Sequence, residues 1–211
     1  MGFCGNARRT VAGMTDRLTA MSVDRVEQIY SSKTSSCQIM EADTEQGRIL
    51  AVEKNKRFFP LNSCYDAKKA SKEWAEQFDR EDINDNSTII VYGLSDGRSI
   101  LELCRKRSNC RVIIYEPCQE IFWKAMEYEE VAQIAENENV CLIVKGICEE
   151  YFFHALQSVL DYSNFQLVVQ AVLPNYLQIF REEYQEMIDV YRSVVELIIF
   201  TRNTMILRGV E

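Results

Sequence analysis

The 211-residue chain sets 32 acidic against 24 basic side chains, a formal net charge of −8, and 47% of its residues are hydrophobic. That apolar content, with only 3 Pro and 8 Gly, excludes disordered and fibrous classes and supports one main core plus a small appendage. The acidic balance excludes a broad electrostatic grip on nucleic acid, whose phosphates call for clustered cations.

Arg105, Lys106, Arg107 and Arg111 do cluster, but at the end of an expected helix, where cations favourably oppose the helix dipole. The cysteines at 4, 37, 64, 104, 110, 118, 141 and 148 form no Cys-x-x-Cys pair, so no metal site is expected. Cys104 and Cys141 read as small buried hydrophobes. Asn6 stands where a myristoylation signal has Ser or Thr, and no secretory signal opens the chain. Apolar runs such as Val194–Phe200 fall far short of the ~20 residues that cross a bilayer. The expectation is a cytoplasmic protein with reduced thiols and neither a membrane nor a nucleic-acid partner.

In chain order, Val11, Met14, Leu18, Met21, Val26 and Ile29 recur on roughly one helical face with a break near Ser22, predicting one or two short helices. Ser36–Met40, Arg48–Glu53 and Arg57–Pro60 predict a small antiparallel sheet. Asp66 is placed to cap a helix bearing Ala70, Trp74, Ala75 and Phe78, which the acidic stretch Asp79–Asn86 ends. Residues 1–82 form this N-terminal helical and β region; residues 83–211 form the main α/β domain.

There, strand and helix alternate: strands at Thr88–Tyr92, Arg111–Tyr115, Val140–Val144 and Phe165–Val169, helices at Arg98–Arg107, Gln119–Tyr128 and Glu149–Leu160. Such an order predicts a Rossmann-like, mainly parallel sheet with flanking helices and right-handed crossovers. Leu177, Phe180, Tyr184, Met187, Tyr191, Val194 and Ile198, spaced 3, 4, 3, 4, 3, 4, form a heptad seam on a long C-terminal helix. Packing on the sheet is favoured for that seam, with homodimerisation or docking onto another domain as the alternative.

The loop Gly93-Leu-Ser-Asp-Gly97 joins the first strand to its helix, and a ligand approaches backbone closely only where side chains are absent. Ser95 stands where a middle glycine is common. Glu116 lies 23 residues after Gly93, near the ~20-residue offset at which an acid receives ribose hydroxyls. Gly93, Ser95, Asp96, Gly97 and Glu116 are therefore the candidate ligand-binding set. The competing reading is a tight turn, with Glu116 serving the next helix. Asp96 can cap the helix but would repel a phosphate, favouring a nucleoside, a sulfonium or no ligand. The cofactor is left unidentified.

Catalytic machinery is not apparent. His154 is the only histidine, no Ser or Cys sits in a nucleophile elbow, and the acid pairs Glu129-Glu130, Glu149-Glu150 and Glu182-Glu183 read as solvated helix faces. No catalytic residue is assigned.

Two stretches carry a resemblance: Phe59-Pro-Leu-Asn-Ser-Cys-Tyr-Asp66 with its helix to Phe78, and Ile89-Ile-Val-Tyr-Gly-Leu-Ser-Asp-Gly-Arg-Ser-Ile100 followed by Val112-Ile-Ile-Tyr-Glu-Pro117. Together they resemble the N-terminal domain of the motility-accessory-factor (Maf) glycosyltransferases. That family has a His-Ser-x-Tyr-Asp-Pro-like sequence, a helix, a Gly-Leu-Gly-x-Gly-Tyr-His strand-loop-helix and then Glu-Pro. The resemblance implies a bacterial setting of flagellin glycosylation, in which nonulosonic sugars such as pseudaminic acid pass from CMP-sugars to flagellin. It attributes that transfer to a separate, more C-terminal domain, whose Gly-Pro-Ser-type segment does not occur in these 211 residues. This chain departs from the family at Ser95, Asp96 and Arg98-Ser99. The implied role is a non-catalytic module with a glycosyltransferase catalytic domain or a flagellar protein as partner. The alternative is an S-adenosylmethionine-dependent methyltransferase, although Val91 occupies that fold's usual acidic position.

Overall fold

A computed structural model describes residues 37–45 and 47–207. The N-terminal helices expected over Val11–Ile29 lie outside the described residues. Strands β1 (Cys37–Thr44), β2 (Gly47–Lys54) and β3 (Arg57–Pro60) form the antiparallel sheet, β1 and β2 extending past their expected limits because the pairing runs from Cys37–Lys54 to Thr44–Gly47. Helix α1 (Ala67–Glu76) follows, its first turn capped by the Asp66 carboxylate, which accepts from the Lys69 N–H at 2.8 Å.

The second sheet has order β6-β5-β4-β7, all parallel, from β4 (Thr88–Tyr92), β5 (Arg111–Glu116), β6 (Val140–Val144) and β7 (Val168–Val172). β4 and β6 are buried along their whole length and β5 after its first residue, because helices cover both faces of a parallel sheet. Each fully buried Ile, Leu or Val in them contributes about 1.5–3 kcal/mol of transfer free energy. The chain builds outward from β4 through β5 to β6, then crosses back to place β7 on the other side. Right-handed crossovers therefore put α2 (Arg98–Lys106) and α4 (Glu129–Ala135) on one face and α5 (Tyr151–Val159) on the other. Helix α1 packs on α2, and the long C-terminal helix α7 (Arg181–Leu207) packs on α5. One hydrophobic cluster runs from Leu50 and Val52 of the small sheet to Val194 of α7.

Three expectations are corrected. The helix expected over Gln119–Tyr128 is two, α3 (Gln119–Ala125) and α4, because Tyr128 is extended and starts a new helix. The fourth strand starts at Val168, not Phe165: the Asp161 carboxylate takes the N–H groups of Ser163 and Asn164, and Phe165–Leu167 coil into a 3-10 turn. The heptad seam is broken at Phe180, which ends the short helix α6 (Tyr176–Ile179) before α7 begins. Along α7 the seam turns inward, with Met187 and Val194 buried and Tyr184, Tyr191 and Ile198 packed against the core.

Among the described residues no helix is long and apolar enough to cross a membrane, and no group of three His, Cys, Asp or Glu could hold a metal ion. Cys104 and Cys141 are buried free thiols, pushed up to about 11 by loss of hydration.

Losing the α1 cap should be felt globally, since Trp74 of that helix donates its indole N–H to the Val172 carbonyl at the end of β7. Asp66→Ala is expected to lower unfolding free energy by about 1 kcal/mol and Asp66→Asn by only a few tenths, measured by urea denaturation. Equal stability of Asp66→Ala and the unsubstituted protein would contradict the capping role.

Candidate functional site: a strand-end crevice filled by Tyr176

In a sheet of this order, the direction of chain progression reverses between β4 and β7, and the crevice outside the carboxyl ends of those strands is where such folds accept ligands. The loop Gly93–Gly97 opens there, β5 brings Glu116 beside it, and the turn after β7 brings Asn175 and Tyr176 over the top. The five candidates are thus brought to one end of the sheet, but their chemistry is directed inward.

Glu116 is fully buried. Its Oε2 accepts from the Leu94 N–H at 2.7 Å and from the Tyr176 hydroxyl at 2.7 Å, while Oε1 accepts from the Cys118 N–H at 2.9 Å. The Tyr176 hydroxyl oxygen in turn lies 2.9 Å from the Ser95 N and 3.2 Å from the Leu94 N, both donating. The loop N–H groups and the acid that would meet a ribose are therefore engaged by a side chain of the same molecule.

Burial drives the Glu116 carboxyl up to about 8, against the lowering effect of its three hydrogen bonds, and raises the Tyr176 phenol well above its ordinary value. The sign follows from linkage. The native state keeps the proton between the unfolded carboxyl value of 4.5 and about 8, so this group's stabilisation is full below 4.5 and lost as pH rises through 8.

The glycines have an internal explanation. Gly93 has φ +104°, and a Cβ there would stand 2.6 Å from the Tyr176 ring. Gly97, φ +80°, faces Val131 of α4, where a Cβ would come within 2.8 Å of a side-chain methyl. Both residues fit neighbouring side chains of the chain itself. Ser95 supplies the left-handed residue between them at φ 53° and donates its hydroxyl to the Leu61 carbonyl at 3.1 Å.

Asp96 is also consumed. Its carboxylate accepts from Asn62 Nδ2 at 3.1 Å, from the Arg98 N–H at 3.1 Å and from the Arg98 guanidinium at 3.0 Å. It serves the start of α2 as expected, yet it reaches back to the β3–α1 loop through Asn62 rather than facing a ligand. Burial raises its carboxyl, and Arg98 opposes the shift.

Sequence reasoning missed Tyr176, Tyr92 and Asn62. Tyr92 donates its hydroxyl to the Phe180 carbonyl at 2.7 Å and packs edge-on against Tyr176 and Tyr184, fixing the turn that carries Tyr176. Asn175, left-handed at φ 65°, donates to the Pro60 carbonyl at 2.6 Å, and the Lys54 ammonium donates to the Ile179 carbonyl. The Pro174-Asn175 pair after the fourth strand marks a turn there, since Pro and Asn are both turn formers, but it carries no mark of what Tyr176 contacts. The regular heptad spacing from Leu177 onward obscured it.

No protein-family model matches the chain, and no curated protein does. Among solved structures, spermidine synthase from Thermotoga maritima is similar at TM-score 0.35 and 13% identity, over 56% of this chain and 44% of that one. MnmC2 from Aquifex aeolicus is similar at TM-score 0.28 and 14% identity, over 83% of this chain and 59% of that one. The chain spans less than two thirds of either, and at these values neither assigns chemistry.

The fit of Gly93 to Tyr176 is separable from its backbone role. Gly93→Ala is expected to destabilise by about 3 kcal/mol or more, combining a left-handed-backbone penalty with overpacking. In a Tyr176→Ala background the same change should cost only about 1–2 kcal/mol, read from urea denaturation of the four-protein cycle. Equal costs in both backgrounds would show that the ring does not dictate the glycine.

Proposed function

We propose that the chain is a non-catalytic Rossmann-like module whose nucleotide crevice is permanently occupied by its own tyrosine. One observation carries the reading: the Tyr176 hydroxyl sits on Glu116 and on the Ser95 and Leu94 N–H groups, the positions a nucleoside would need. At that end of the sheet the side chains of Glu116, Asp96 and Tyr92 are each committed to internal partners. The module's work is then to present surfaces to another protein. The resemblance of Phe59–Phe78 and Ile89–Pro117 to the Maf N-terminal domain supports a partner in protein glycosylation, either a glycosyltransferase catalytic domain or a flagellar protein.

A second reading, an S-adenosylmethionine-dependent methyltransferase, is favoured by one specific feature. An acid, Glu116, closes the strand beside β4 next to the glycine loop, the position from which an acid receives ribose hydroxyls in dinucleotide-binding folds. In that case Tyr176 must leave the crevice when ligand enters, breaking its bonds to Glu116 and the loop.

Calorimetric titration with S-adenosylmethionine and with CMP separates the two. The module reading expects no heat of binding from either ligand at millimolar concentration. Tight binding of S-adenosylmethionine that is lost in Glu116→Gln would replace it with the second reading.

A further inference from the structure

Helix α2 forms the floor of a groove whose walls are α1 on one side and α4 on the other. The cavity there measures about 290 Å³, close to the lower end of the roughly 300–1,000 Å³ of small-ligand pockets. None of Gly93, Ser95, Asp96, Gly97, Glu116 or Tyr176 lines it, so the groove is independent of the strand-end crevice and of what that crevice binds.

The α1 wall is made of donors. Lys68, Ser71 and Lys72 stand at i, i+3 and i+4 and so share one face of the helix. Both lysines are exposed and neither has a carboxylate at ion-pair distance among the described residues, whereas their neighbour Lys69 pairs with Glu73 at 3.8 Å. Ser71, between them, is 1% exposed. Its Oγ accepts from Asn62 Nδ2 and from Ser99 Oγ, each at 3.1 Å, so both lone pairs are used and its own proton is left to donate. No acceptor for that proton is present among the described residues.

The remaining charges of the lining are balanced or negative. Arg98 is held by Glu130 at 3.2 Å and Arg105 by Glu102 at 2.7 Å. On α4, Glu129 accepts from the Gln133 amide at 3.2 Å and has no cation partner among the described residues. The groove is therefore dipolar: two free ammoniums and a hydroxyl proton on one wall, a free carboxylate on the other, and Leu101 of α2 between them.

We propose that this groove binds a small phosphate monoester that carries an amine. Near neutral pH a phosphoryl group bears about −1.5 to −2 charges and three strong acceptor oxygens, which matches Lys68, Lys72 and the Ser71 proton. A single carboxylate carries less charge and would not offset both ammoniums. The amine then lies across Leu101, against Glu129.

Amide NMR titration of the full chain with phosphoethanolamine, and with inorganic phosphate at the same ionic strength, tests it. Phosphoethanolamine is expected to shift the amides of residues 67–72 and 129–133 saturably and to bind about fivefold tighter than inorganic phosphate. Lys68→Gln/Lys72→Gln should weaken its binding by about tenfold or more, and Glu129→Gln should reduce it to the level of inorganic phosphate. Unchanged amide positions in β4 and β5 report that each variant is folded. Absence of a saturable shift at residues 67–72, or an affinity for phosphoethanolamine that is unchanged in either variant, would overturn the proposal.

Discussion

Tyr176 sits with its hydroxyl against Glu116, its ring against Gly93, and no solvent in reach of either. A carboxyl buried to this degree cannot be left unpaired, because an unsatisfied group of that kind costs several kcal/mol. The structure meets the demand with three donors, two from backbone and one from Tyr176. Everything at the carboxyl end of the sheet is arranged around that pairing. Tyr92 and Lys54 hold the turn and helix that deliver the tyrosine, Asn175 ties them to β3, and the loop after β4 adopts the one path that lets two of its N–H groups meet the phenol.

The small antiparallel sheet is thereby part of the closure. Its last strand offers the Pro60 carbonyl to Asn175, the following Leu61 carbonyl receives the Ser95 hydroxyl, and Asn62 reaches Asp96. The segments from β2 to β3 and from β4 to α2 converge where a Rossmann-like fold of ordinary design keeps an open mouth. The parallel-sheet architecture is retained while the crevice at the carboxyl ends of its strands is filled with protein.

Much of the architecture could be read from residue patterns. Thr88–Tyr92, Val140–Val144 and the cap at Asp66 stand where apolar runs and a capping carboxylate place them, because buried parallel strands and helix starts leave strong local marks. Boundaries failed where local turn chemistry overrode the pattern, at the Asp161–Asn164 turn and at Tyr128. The site was legible by position only. Gly93 and Glu116 fall at one place in space, as their spacing implies, but the partner that neutralises both is 60 residues beyond Glu116, and nothing local announces a contact of that range. A glycine demanded by a tyrosine ring and a glycine demanded by a phosphate look the same in one dimension.

The account turns on whether the crevice is dry and filled. Carbon-13 NMR of the labelled Glu116 side-chain carboxyl, followed through pH, reports this directly. The account predicts that in the unsubstituted protein Glu116 keeps its proton well above 4.5 and titrates near 8, and that in Tyr176→Ala, where water enters, it moves down toward the ordinary carboxylate range. Titration of Glu116 near 4.5 with Tyr176 in place would mean an open, hydrated pocket and would contradict it.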